Sequence, residues 1–117
     1  MRTTITIKRV YAPPSKNDGL RILVDRLWPR GIKKENAAVD EWQQELAPSA
    51  NLRKWFNHDA EKWAAFQEKY KEELKQNPAV ETFLKRHTGV RKITLLFGAR
   101  DEQHNQAVVL REVLQQH

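Results

Sequence analysis

Cysteine is absent from the chain, which removes disulfides, zinc–thiolate centres, iron–sulfur clusters and cysteine nucleophiles from consideration. A chain without cysteine is compatible with a reducing compartment, and the expectation is cytoplasmic. Long apolar runs are missing too: none approaches the roughly 20 residues that span a bilayer, so no membrane partner is expected. The opening MRTTITIKRV lacks the apolar core and small-residue cleavage site of a secretory signal. With only 4 glycines, no glycine-rich phosphate loop can be assembled; PRGIKK (29–34) matches neither the P-loop nor the dinucleotide fingerprint. No cofactor motif is present, and the four histidines lack metal-ligand spacing, so neither a cofactor nor a metal is expected.

Acidic residues are scarce in the first third. Residues 1–34 hold nine Lys/Arg and two Asp/Glu, a net of +7, whereas residues 35–117 hold twelve and thirteen, a net of −1; the total is +6. A field of that sign favours anionic partners.

What is present fits one α/β domain over residues 1–117. ITIKRV (5–10) alternates apolar with polar as a strand does. LRILVDRL (20–27) predicts a buried strand that ends by Trp28, because Pro29 has no N–H for a ladder. KITLLFGA (92–99) predicts a third. Between the last two, helical spacing is expected over 35–46 with Val39, Trp42 and Leu46 on one face, then a short turn at 51–56. A helix capped by Asp59 with a Trp63, Phe66, Tyr70 and Leu74 stripe follows, and another from Pro78 to a stop at Gly89. A closing helix is expected from about Glu102, with Asp101 as a natural N-cap. The fold class is therefore α/β: a small, mostly parallel sheet of three or slightly more strands with helices packed on it. The direction of the first strand is left open.

In parallel sheets ligands bind outside the carboxyl ends of strands. Two motifs converge there. LVDRLWPRG (23–31) brings Asp25, Arg26, Trp28 and Arg30; the stretch after the third strand brings Gly98, Arg100, Asp101, His104 and Asn105. Arg26, Arg30 and Arg100 are the candidate anion binders. Trp28 is the candidate pocket wall and Asn105 a hydrogen-bond donor. Asp25 is the one weak catalytic candidate, orienting Arg26 or acting as base. A structural alternative pairs Asp25 with Arg26 simply to lock the turn. His58 and His104 stand at helix starts; His87 and His117 are expected at the surface.

KRVY (8–11), LVDRLWPRGIKK (23–34), WQQELAPSANLRKWF (42–56) and TLLFGARDEQHNQAVVL (94–110) together resemble the YeaO-like proteins of domain-of-unknown-function family 488. The resemblance implies an α/β fold and supplies no activity. YeaO-like chains commonly carry Asn-His-Ala after the last strand, where this sequence has Asn105-Gln106-Ala107. Glutamine cannot shuttle protons at neutral pH, so a mechanism relying on that histidine does not transfer. The favoured function is binding of a phosphorylated or carboxylated small molecule at the sheet edge, with enzymatic activity left open. Two alternatives stand beside it. One is a nucleic-acid-binding module using the basic first third with Tyr11 and Trp28 as stacking surfaces. The other is an interaction protein whose interface includes Val108 and Val109.

Overall fold

The computed structural model describes residues 3–117. Four strands, β1 (Thr4–Arg9), β2 (Leu20–Leu23), β3 (Glu41–Trp42) and β4 (Lys92–Phe97), form one sheet in the order β1-β4-β2-β3. Every neighbouring pair is parallel, which settles the direction of the first strand. The helices are α1 (Lys34–Ala37), α2 (Ala50–Phe56), α3 (Trp63–Lys75), α4 (Ala79–Arg86) and α5 (Gln106–Gln115). None of the described helices is long and apolar enough to cross a membrane.

Strand periodicity assigns the core to two faces. Ile5, Ile22, Val24, Ile93, Leu95 and Phe97 point to the face on which the helices build the main core, with Phe66, Tyr70 and Leu110 among its buried side chains. Val10, Leu23 and Leu96 point to the other, where Trp28, Ile32, Val39 and Trp42 cover them. That second face also holds a polar group: Asp18 receives Lys8 Nζ at 3.1 Å and the Arg21 guanidinium. Burial pushes the Asp18 carboxyl up, but the Ser15 N–H, Lys8 and Arg21 outweigh it and hold it below its ordinary value. Gly19, at φ 66°, makes the approach possible, since a Cβ there would lie 2.4 Å from the Lys92 carbonyl oxygen.

The helix expected over 35–46 does not form. Ala38 turns left-handed at φ 51° and ends α1 after four residues. The chain then becomes a fourth strand, with the Asp40 N–H donating to the Arg21 carbonyl (2.8 Å) and the Gln43 N–H to that of Leu23 (2.9 Å). Burying β2 requires partners for both its edges, and this segment supplies the second. Val39 and Trp42 cover one face of the sheet while Leu46 enters the core on the other. Their helical spacing was therefore coincidental.

The remaining differences lie at element ends. β2 stops at Leu23, four residues short of the expectation, although the Val24 N–H still reaches the Leu96 carbonyl at 3.0 Å. β4 stops at Phe97 rather than residue 99. α5 starts at Gln106, capped by Asn105 rather than Asp101.

Candidate functional site

The carboxyl ends of β2 and β4 and the start of α5 meet at Asp25. Its Oδ2 accepts the Gly98 N–H at 2.9 Å, and its Oδ1 accepts from Gln106 Nε2. Gly98 allows this contact because a Cβ there would stand 2.8 Å from Asp25 Oδ2. Burial pushes the Asp25 carboxyl up from 3.8 to about 6, against the pull of the Gly98 and Gln106 donors. No cation shares the carboxylate among the described residues. The expected Asp25–Arg26 pair is absent: Arg26 turns away, with Nε donating to the Pro48 carbonyl (2.8 Å) and Nη2 to that of Ala47 (3.3 Å).

Asn105 is fully buried, and its donors and acceptor are turned inward. Its Oδ1 accepts the Ala107 N–H (2.9 Å) and, more distantly, the Val108 N–H (3.4 Å), while Nδ2 donates to the Asp101 carbonyl (2.9 Å). Asp101 makes a turn of its own, accepting from the Gln103 and His104 N–H groups and standing 2.8 Å from His104 Nδ1. Led by the Gln103 N–H, these donors hold its carboxyl below the ordinary value. The His104 ring lies edge-on to Trp63 at 5.2 Å. His87 is buried rather than at the surface, with Nδ1 2.7 Å from the Phe83 carbonyl and Nε2 2.9 Å from Glu41 Oε2.

Arg30 and Arg100 are exposed, and their side chains make no hydrogen bond or ion pair among the described residues. Arg30 is anchored through its backbone, for the Tyr11 hydroxyl donates to its carbonyl at 2.8 Å. Tyr11 is in turn covered by Arg9, whose guanidinium carbon lies 4.8 Å from the ring centroid and whose Nε donates to the Ala99 carbonyl at 3.0 Å. Beside this corner is a cleft of about 330 Å³, lined by Tyr11, Pro13, Pro14, Gly31, Ile32 and Lys33 among others. Trp28 backs the cleft rather than facing it: its indole N–H donates to the Ile32 carbonyl (2.7 Å), and the ring packs edge-on against Trp42 at 5.4 Å.

The structure therefore divides the sequence candidates. Asp25, Arg26, Trp28 and Asn105 hold loops together, whereas Arg30 and Arg100 project outward. Arg9 was missed as a member of this corner. The signal available was KRVY (8–11), a cation two residues before an aromatic at a strand end. Among the described residues, no group of three or more His, Asp or Glu is placed to hold a metal ion.

Residues 4–117 match the family model described as the inactive DUF488-N3 subclade. The uncharacterized protein YeaO of Escherichia coli strain K12 is 46% identical over 110 residues, covering 94% of this chain and 96% of that one. The uncharacterized protein Rv3073c of Mycobacterium tuberculosis and Mb3100c of Mycobacterium bovis are each 37% identical over 112 residues, covering 96% of this chain and 94% of theirs. No solved structure matches significantly.

Proposed function

The chain belongs to the DUF488 family, in the subclade described as inactive DUF488-N3, and we propose that it is a non-catalytic binding domain for an anionic small molecule. The observation that carries the reading is the Tyr11 hydroxyl on the Arg30 carbonyl at 2.8 Å, which anchors the backbone of an exposed arginine next to Gly31, the first of the residues Gly31 to Lys33 that line the cleft. An arginine whose backbone is anchored has only its side chain left to order on binding a carboxylate or phosphate, less than one on a free loop. Arg100 follows Ala99, whose carbonyl is bound by the Arg9 that covers Tyr11, so the exposed Arg100 is taken as a further cation of the proposed site. Arg26 and Asn105 donate to internal carbonyls, so the reading assigns the anion to Arg30, Lys33 and Arg100 instead.

The non-catalytic half of the reading rests on Asp25. Both carboxylate oxygens accept N–H donors, and the side-chain donor is an amide. An amide neither takes up nor passes on a proton near neutral pH, so the pair has no acid–base relay.

The test is a thermal-shift and calorimetric screen of wild type and Arg30→Ala. The panel holds inorganic phosphate, nucleoside monophosphates, short carboxylates and oligonucleotides at low and physiological salt. A small anion at about 100 times its dissociation constant stabilises by about 2.7 kcal/mol, a shift of several degrees for a chain of this size. The expected result is such a shift, retained at physiological salt and lost in Arg30→Ala. A shift equal in both proteins, or none with any small anion, overturns the reading. Stabilisation by oligonucleotides alone, erased by salt, replaces it with nucleic-acid binding.

A further inference from the structure

The sheet order leaves β1 at one end, with β4 on one side and no strand on the other among the described residues. The Thr4 N–H donates to the Arg91 carbonyl and the Val10 N–H to that of Phe97. By the two-residue alternation of a parallel ladder, Thr4, Thr6, Lys8 and Val10 turn their backbone groups toward β4, and Ile5, Ile7 and Arg9 turn theirs outward. Among the described residues, only the Arg9 carbonyl of the outward groups has a backbone partner, the Ala12 N–H at 3.1 Å. The strand carries no proline and keeps an unbroken register with β4 from Thr4 to Arg9.

Natural edge strands are usually blunted by charges that stand over the free edge. β1 has two cations, and both are drawn back into their own chain. Lys8 Nζ reaches both Asp18 carboxylate oxygens at 3.1 Å, and Arg9 is held between the Ala99 carbonyl and the Tyr11 ring. The edge is therefore six residues long and undefended.

We propose that this edge pairs with the same edge of a second copy of the chain, β1 antiparallel to β1 about a twofold axis at Ile7, making one continuous sheet across a dimer. The register follows from which groups face outward. Pairing Ile7 with Ile7, and Ile5 with Arg9 of the second copy, uses all three outward residues; the Ile7 pair exchanges two backbone bonds, and the Arg9 N–H donates to Ile5 while its carbonyl already accepts from Ala12. It also sets Thr6 opposite Lys8 and leaves no like charges directly across from one another. Sliding one copy by two residues in one direction puts Lys8 against Lys8, which is unfavourable. Sliding it in the other direction pairs fewer of the free groups. Ile7, half-buried against the main core, meets its own copy at the centre, an aliphatic cross-strand pair of the kind that stabilises sheets. A twofold, self-complementary contact closes at two copies and does not propagate.

The test is light scattering behind size exclusion on the full chain, from micromolar to millimolar concentration, for wild type and Ile7→Pro. The Ile7 N–H faces away from β4, so proline removes the central intermolecular bonds without removing one from the β1–β4 ladder. Wild type is expected to dimerise, and Ile7→Pro to dimerise roughly tenfold or more weakly with its circular dichroism unchanged. Amide hydrogen exchange on the wild type decides the matter should the variant misfold: the Ile5, Ile7 and Arg9 amides should become protected as concentration rises. A dimer that survives Ile7→Pro overturns the proposal, as does a wild type that stays monomeric with fast Ile7 exchange. Protection of these amides in a monomer also overturns it, because another segment of the same chain would then cover the edge.

Discussion

Replacing Asp25 by asparagine should stabilise this protein at neutral pH, and the gain should vanish in acid. The carboxyl is pushed from 3.8 to about 6 by burial, only partly offset by the Gly98 and Gln106 donors. The folded state therefore holds a proton that the unfolded chain releases, and stability falls as pH rises from about 4 to about 6, with the penalty complete at pH 7. A displacement of about 2 pH units at about 1.4 kcal/mol each gives roughly 3 kcal/mol. Solvent contact on the open side lowers this to about 2–3 kcal/mol. Asparagine mimics the protonated form. Its carbonyl can accept the Gly98 N–H, while Gln106 rotates its amide to accept from the new side-chain N–H.

Urea unfolding of both proteins at pH 4, 5, 6 and 7 measures the effect, since the other titrating groups are common to the two and cancel in the difference. The asparagine variant should match wild type near pH 4 and exceed it at pH 7, with a midpoint higher by about 1–2 M. A gap that does not change with pH, or a variant less stable at pH 7, would refute the claim that burial dominates at Asp25.

Gly98→Ala places a Cβ 2.8 Å from Asp25 Oδ2, so the carboxylate or the β4–α5 loop must shift. The expected cost is about 1–3 kcal/mol, read as a lower melting temperature, and it should shrink in Asp25→Ala, where the clashing atom is gone. Glu41→Gln tests the link between the edge strand and α4. Burial pushes the Glu41 carboxyl up, but donors on His87 and Gln43 outweigh it and hold it below its ordinary 4.5. That stabilisation is present above the unfolded value and lost as pH falls through the folded one. The variant should therefore be about 1 kcal/mol less stable at pH 7, with the gap closing toward pH 3 in the same urea assay.

The parts of the fold that were legible are those whose pattern answers to one surface. Phe66, Tyr70 and Leu74 of α3 all enter the main core, so their helical spacing meant what it suggested. Ile93 to Phe97 are buried on both faces, as a continuous apolar run implies for a central parallel strand. Residues 35–46 misled because Val39 and Trp42 serve one face of the sheet and Leu46 the other. The site was legible in place but not in partnership. Asp25 was located at a strand end, yet its partners lie 73 and 81 residues away, beyond any local periodicity. The start of α5 turned on two residues of the same capping chemistry, Asp101 and Asn105. The loop path chose between them, and the sequence carries no signal for that path.

The charge of LVDRLWPRG has its reason in what a parallel sheet leaves at its carboxyl edge. Strands end there and loops cross, leaving carbonyls that no ladder bond reaches. Arginine, with several donors on one rigid fork, can serve two such carbonyls at once. Arg26 does so for Pro48 and Ala47, and Arg9 for Ala99 with Gly98 at longer range; Arg21 serves Ala38 and Ala37 in the same way at the amino end of β3. Trp28 and Trp42 do the same with indole donors, to Ile32 and Asp25. Much of the positive excess of the first third is thus committed to the chain itself, along with Lys8 on Asp18. Arg30 and Lys33 are the cations left exposed beside the cleft, with Lys34 lying 5.8 Å from the Trp28 ring centroid. A polyanion draws affinity from many phosphate contacts, each releasing a counterion. So few exposed cations around one cleft suit the proposed small anion better than a polyanion.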